Sequence, residues 1–468
     1  MKKKLLPALI VTGLIILVVI IMGITALINK YTPTKKTEDL KEYFNISSDD
    51  EAALIVDNEL SDYKAKIIDK KIYVDYKFVH DSLNSRFYWD ANENVLLYTT
   101  ASDIISAAAD SNSYSVTKQT NDFGYPIVKA TSDSALIALD YVKQYSNITF
   151  KSYDDPARIV ITSKWDEIDS ATVSKSTQVR VKGGIKSPIL KEVKKDDKIT
   201  ILDSGDKWDK VATEDGVIGY IKRKALSESK KTKLTNPDYE EETFTHIKKD
   251  KDICLAWNQV TSQSANSKVP QVISSTKGIN VMSPTWFYLN DNNGNLADIA
   301  SKDYVSYCHS QGIEVWGLFS NFENTDVDAA YVLTHTSTRT TLINQIMSAA
   351  FNYELDGVNI DFENITGAAY GDSYIEFIRE LAIKCHNNGI SLSVDVTVPA
   401  SFNKFFNRSD MANFADYIVI MGYDEHYKGS DAGSVSSIPW VTEGVESTLK
   451  EVPADQIILG MPFYTRIW

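Results

Sequence analysis

At 468 residues the chain exceeds one ordinary core and reads as roughly two to four domains. A formal net charge of −14 and a pI of about 5.0 exclude nucleic acid as the main partner. Three cysteines and six histidines, scattered without ligand spacing, predict neither a disulfide framework nor a metal site or cofactor, and Cys254, Cys308 and Cys385 read as buried small side chains.

Lys2, Lys3 and Lys4 precede an apolar run from Leu5 to Ile28. At 1.5 Å per residue such a run spans a hydrocarbon layer of about 30 Å. Ala26-Leu27-Ile28-Asn29 makes a poor cleavage site, so residues 1–30 are expected to form a signal anchor. The N-terminus would then be cytoplasmic, with a single pass through the cell membrane and everything beyond Tyr31 extracellular.

Residues 31–165 carry one element order twice. Lys71 to Thr100 reads as a strand, an amphipathic helix and a hairpin turning at Asp90 to Asn94; Ala135 to Ser163 repeats it, with Tyr153-Asp154-Asp155 where Trp89-Asp90-Ala91 stood. This duplicated α+β module resembles the copper-amine-oxidase N-terminal-like domain, which implies a non-catalytic spacer or wall-associating role. From Val179 to Leu226, short alternating strands are punctuated by Gly183-Gly184, Asp196-Asp197, Ser204-Gly205-Asp206 and Asp215-Gly216, as in a small all-β barrel. Residues 170–228 are similar to a bacterial SH3-like domain on Val179-Arg180-Val181, Trp208 and Gly219-Tyr220-Ile221, and that similarity implies binding of wall peptides. Residues 229–245 read as a charged linker.

The rhythm changes over residues 246–468. Apolar strands are expected at Ile253–Trp257, Gly278–Leu289, Gly312–Asn321, Leu355–Glu363, Gly389–Val398, Tyr417–Tyr423 and Gln456–Tyr464. Amphipathic helices fall between them, including Asp298–Gln311, Ser337–Tyr353, Ser373–Asn387 and Ile438–Leu449. Continuous apolar strands followed by helices predict a parallel sheet covered on its outer face, and the number of units favours a (β/α)8 TIM barrel. The chain stops just past the seventh unit, so the barrel is expected to be truncated before its eighth strand.

One strand carries chemistry. In Asp356 to Glu363, DGVNIDFE, residues two apart share a face. Val358, Ile360 and Phe362 should point to the helical shell. Asn359, Asp361 and Glu363 should point inward and climb toward the carboxyl end, where this fold places active sites. Two nearby carboxyls on an apolar strand with no Lys or Arg do not ionise together, so one keeps a proton and serves as an acid.

DGVNIDFE is similar to the Asp-x-x-Asp-x-Asp-x-Glu signature of glycoside hydrolase family 18, the chitinase-like barrels, with Asn359 where most chitinases carry an aspartate. MGYD (Met421 to Asp424) and GMPFYTR (Gly460 to Arg466) resemble later family segments, while EVWGLFSN stands where a Ser-x-Gly-Gly motif is expected. NIDFEN and PFYTR look closest to the spore cortex-lytic and germination branch. The resemblance implies retaining, substrate-assisted hydrolysis of an N-acetylated glycan, either peptidoglycan or a chitin oligosaccharide. Glu363 would be the acid, Asp361 would hold the acetamido N–H and Tyr423 its oxygen, with Asp424 contacting the sugar. Asn359 would hydrogen-bond Asp361 and raise its pKa less than an aspartate would. Among the aromatics near strand ends, Trp286 and Trp316 are expected to line the sugar groove. The alternative is a catalytically inactive carbohydrate-binding relative of the same barrel.

Overall fold

The computed structural model of the chain describes residues 2–365 and 368–468. An N-terminal helix spans Lys2–Tyr31, and its stretch Leu9–Tyr31, 23 residues, is long and apolar enough to cross a membrane. The chain divides into two compact units: residues up to Phe78 together with Ile137–Glu240, and Val79–Leu136 together with Glu241–Trp468.

In the first unit the expected strands form two sheets. Glu51–Val56 pairs antiparallel with Glu59–Ile68 and parallel with Arg158–Thr162. Residues 177–222 form an antiparallel sheet whose strands Thr177–Arg180, Ile218–Lys222, Trp208–Thr213 and Lys198–Asp203 lie side by side. One core joins the two sheets, with Ala53 and Ile55 packed among Val179, Val211, Val217 and Ile221. Within the expected linker, Lys230–Lys233 adds to this sheet beside Glu167–Thr172.

The second unit holds a curled parallel sheet with strands in chain order: β1 (Leu255–Asn258), β2 (Val281–Leu289), β3 (Glu314–Ser320), β4 (Gly357–Asp361), β5 (Ser391–Thr397), β6 (Tyr417–Met421) and β7 (Ile457–Gly460). The strands are mainly apolar on their outer faces, which helices cover, though Leu459 of β7 stays exposed. Val358, Ile360 and Phe362 pack among Ile378 and Leu381 of a helix over Ala368–His386, α1. A second helix, Arg408–Phe414, lies between β5 and β6 and has no counterpart among the sequence expectations. The strand expected over Gln456–Tyr464 ends at Gly460.

The inner face shows the curl. Leu255 of β1, Val281 of β2, Trp316 of β3, Tyr417 of β6 and Ile458 of β7 form one interior cluster at the amino ends of the strands. Nearer the carboxyl ends, β7 approaches β1 so closely that a Cβ on Gly460 would meet Trp257 at 2.8 Å. Cys308 and Cys385 are buried and unbridged, whereas Cys254 is exposed, because it sits just ahead of β1.

The Val79–Leu136 segment contributes a meander of five short strands. Its loops and strands dock on the helices of this unit through buried polar groups. Tyr88 meets Ser373 at 2.9 Å, Thr99 donates to Glu376 at 2.7 Å, and Asp90 accepts from the backbone N–H of Thr336 at 2.7 Å, at the start of the Thr336–Tyr353 helix.

Candidate active site

Parallel pairing sets Leu318, Asn359 and Ser393 level with one another on β3, β4 and β5, and Ser320 level with Asp361. Asn359 is fully buried and makes four hydrogen bonds. Its Oδ1 accepts from Trp257 Nε1 and Ser283 Oγ, both at 3.0 Å, and its Nδ2 donates to Ser393 Oγ at 3.0 Å and Asp395 Oδ1 at 2.7 Å. The amide is therefore saturated and faces no solvent. It serves Asp395 rather than Asp361, which corrects the expected Asn359–Asp361 bond.

Asp361 has a buried carboxylate oxygen, Oδ1, without a partner. Burial first, and then the charges of Asp395, Glu363 and Glu323, push its pKa well above the usual carboxylate range. Glu363, past the end of β4, is exposed as a residue, yet its carboxyl is raised by burial first and then by Asp424 and Glu323. Asp395 on β5 is pushed up to about 8, chiefly by burial, against the lowering effect of its hydrogen bonds. Glu323, beyond β3, takes hydrogen bonds from Ser320 Oγ at 2.7 and 2.6 Å.

Beyond β6, Tyr423 stands edge-on to Trp257 at 6.3 Å and to Tyr464 at 6.2 Å. Burial raises its pKa, with Asp395, Asp361 and Glu363 adding to the effect, so the phenol keeps its proton and stays a donor. Asp424 adopts φ 62°, a left-handed conformation that Asp tolerates, and accepts from Tyr464 at 2.8 Å and Arg466 at 2.6 Å. Asp361, Glu363, Tyr423 and Asp424 thus come together at the carboxyl ends of β4 and β6. The two expected sugar-stacking tryptophans lie elsewhere. Trp286 is fully buried under Tyr304 at 4.9 Å, donating to Asn266, because it alternates with the inward Ser283 and Thr285 and so faces the helical shell. Trp316 is fully buried too. It faces inward but near the start of β3, against Tyr417 at 5.5 Å. Trp257 is the tryptophan that reaches the carboxyl cluster.

Such a cluster, one exposed acid beside a buried carboxyl with a phenol opposite, is equipped for acid catalysis on a ligand that carries its own nucleophile. The family model for Glycosyl hydrolases family 18 matches residues 316–468. Over these residues the chain is similar to glycosyl hydrolases family 18. Among curated proteins, the chain is similar to the uncharacterized glycosylase YvbX of Bacillus subtilis (strain 168), 25% identical over 192 residues, 38% of this chain and 55% of that protein. It is also similar to the cortical fragment-lytic enzyme of Bacillus subtilis (strain 168), 25% identical over 185 residues, 38% of this chain and 43% of that protein. The chain thus spans about half the length of these relatives. Among solved structures, the Bacillus megaterium QM B1551 spore cortex-lytic enzyme SleL aligns with a TM-score of 0.39 at 20% identity, covering 44% of this chain and 49% of that one.

Proposed function

We propose that the chain is a membrane-anchored, extracellular glycoside hydrolase that cleaves β-1,4 bonds next to N-acetylglucosamine in peptidoglycan or chitin-like glycans. The observation that carries the reading is the pairing of Glu363 with Asp361, a raised acid open to ligand beside a buried carboxyl that has an unused acceptor oxygen. Glu363 delivers its proton to the glycosidic oxygen as the bond to the anomeric carbon breaks. The substrate's acetamido oxygen then closes on that carbon, giving an oxazolinium ion and retaining configuration overall. Asp361 accepts the acetamido N–H, and its negative charge offsets the positive charge that develops on the ring. Tyr423, kept protonated, donates to the acetamido oxygen. Asp424, held by Tyr464 and Arg466, faces the sugar. Water then opens the oxazolinium with Glu363 as base.

The names of the cortical fragment-lytic relatives favour wall glycan as the substrate. The apolar helix supports anchoring, and the antiparallel sheet of residues 177–222 supports the SH3-like reading with wall peptides as its ligand. The test incubates the chain with peptidoglycan, with chitin oligomers and with the same oligomers after N-deacetylation, and sizes the products. Cleavage confined to acetylated glycans is expected; equal cleavage of deacetylated ones overturns substrate assistance. Protease added to intact cells should remove everything beyond the anchor, and a protected chain would overturn the topology.

A further inference from the structure

Asp395 takes no part in the chemistry above, yet its setting is as constrained as that of any group in the site. β4 and β5 pair with Asn359 beside Ser393 and Ile360 beside Val394. One residue further in that register, Asp361 stands beside Asp395 on strands about 4.8 Å apart. Asp395 is 3% exposed, its Oδ1 is taken by Asn359 Nδ2, and Asp361 Oδ1 next to it is buried without a partner. The groups facing the pair come from four directions. They are Glu363 beyond β4, Glu323 beyond β3, Tyr374 on α1, and Tyr423 beyond β6. Asn359 and Trp257 supply neutral donors. None of these is a cation, so two full charges side by side would go uncompensated.

We propose that Asp395 is the positioning residue of Asp361: the two carboxyls hold one proton between them, leaving Asp361 a single negative charge to offer the substrate's acetamido group. The carboxyl beside Asp361 comes from β5, while the inward position before it on β4 is the amide Asn359. This rests on the glycosidase reading for its catalytic consequence, though not for the shared proton itself. Burial and the neighbouring charge agree with it, since Asp395 is pushed up to about 8 and Asp361 is raised as well.

The experiment exchanges the two positions in the full chain: Asp395→Asn, Asn359→Asp and the double variant. Asp395→Asn removes the proton that ties Asp361 in place and lets Asp361 ionise at lower pH, so kcat should fall about 10–100-fold with KM nearly unchanged. Asn359→Asp, which adds a third carboxyl, should also lose activity. The double variant restores one amide and one carboxyl beside Asp361 and should return to within about fivefold of wild type. Multiplied losses in the double variant, or a wild-type kcat and pH profile in Asp395→Asn, overturn the proposal. Melting against pH gives a readout that needs no turnover. An acid raised to about 8 when folded, against about 4 when unfolded, contributes stability fully present below about pH 4 and lost as the pH rises through about 8. Wild type should therefore lose melting temperature between pH 5 and 9 more steeply than Asp395→Asn, and equal slopes overturn the shared proton. If wild type leaves acetylated glycans uncut, the hydrolase reading fails, while the melting comparison still decides the proton.

Discussion

Replacing Asn359 by Ala is the sharpest test of how the site is held. The side chain is fully buried and ties β4 to three other strands, β1 through Trp257, β2 through Ser283 and β5 through Ser393 and Asp395. Each buried polar group left unpaired costs about 1–3 kcal/mol. The serine hydroxyls rotate to other acceptors; Ser393 Oγ already reaches the carbonyl of Val358 at 3.4 Å. The Trp257 indole N–H and the Asp395 carboxyl both lose their bond to the amide, although the two also reach each other. Those two losses give about 2–6 kcal/mol, before any cavity left by the amide. At about 2–4 °C per kcal/mol for a unit of this size, melting should fall by roughly 5–20 °C. The assay is thermal melting of the full chain followed by near-ultraviolet circular dichroism, which reports the packed aromatics. A drop below about 3 °C would refute the view that this amide ties the inner face together.

Trp257→Phe removes one donor from Asn359 and the edge contact with Tyr423, so kcat/KM should fall about 5–30-fold, the equivalent of roughly 1–2 kcal/mol. Trp316→Phe, at the amino ends of the strands, should leave kcat and KM within about twofold while lowering the melting temperature. Arg339, fully buried, pairs with Glu380 at 2.9 Å and lies over the Tyr88 ring at 5.1 Å. Arg339→Met strands Glu380 and should cost about 3–5 kcal/mol, read by denaturant unfolding.

Much of the second unit can be read from the sequence because its strands are apolar runs separated by helical periodicity. The alternation in Asp356 to Glu363 sets which side chains face the shell and which face inward, and Val358, Ile360 and Phe362 do pack against α1. The same alternation in Ser391-Leu392-Ser393-Val394-Asp395 carries the signal for Asp395, which stands on a strand read only for its apolar content. Glu323 lies in a loop, where no periodicity exists to point at it. The tryptophans differ for another reason. Facing inward does not say how high on a strand a residue sits, and that height depends on where the strand starts and whether its register slips. Trp316 is only the third residue of β3, and Trp286 does not face inward at all, since it alternates with the inward Ser283 and Thr285 of β2. The partner of Asn359 is equally invisible in sequence, because along one strand Asp361 is its neighbour while across the sheet Asp395 is closer to hand.

The central claim is that Glu363 is the proton donor of an N-acetylglycan hydrolase. It is tested most directly by turnover of Glu363→Gln on a defined N-acetylated oligosaccharide. Glutamine keeps the shape and loses the proton, so kcat should fall about 10²–10⁴-fold while substrate binding and melting stay near wild type. Turnover within threefold of wild type would contradict the assignment.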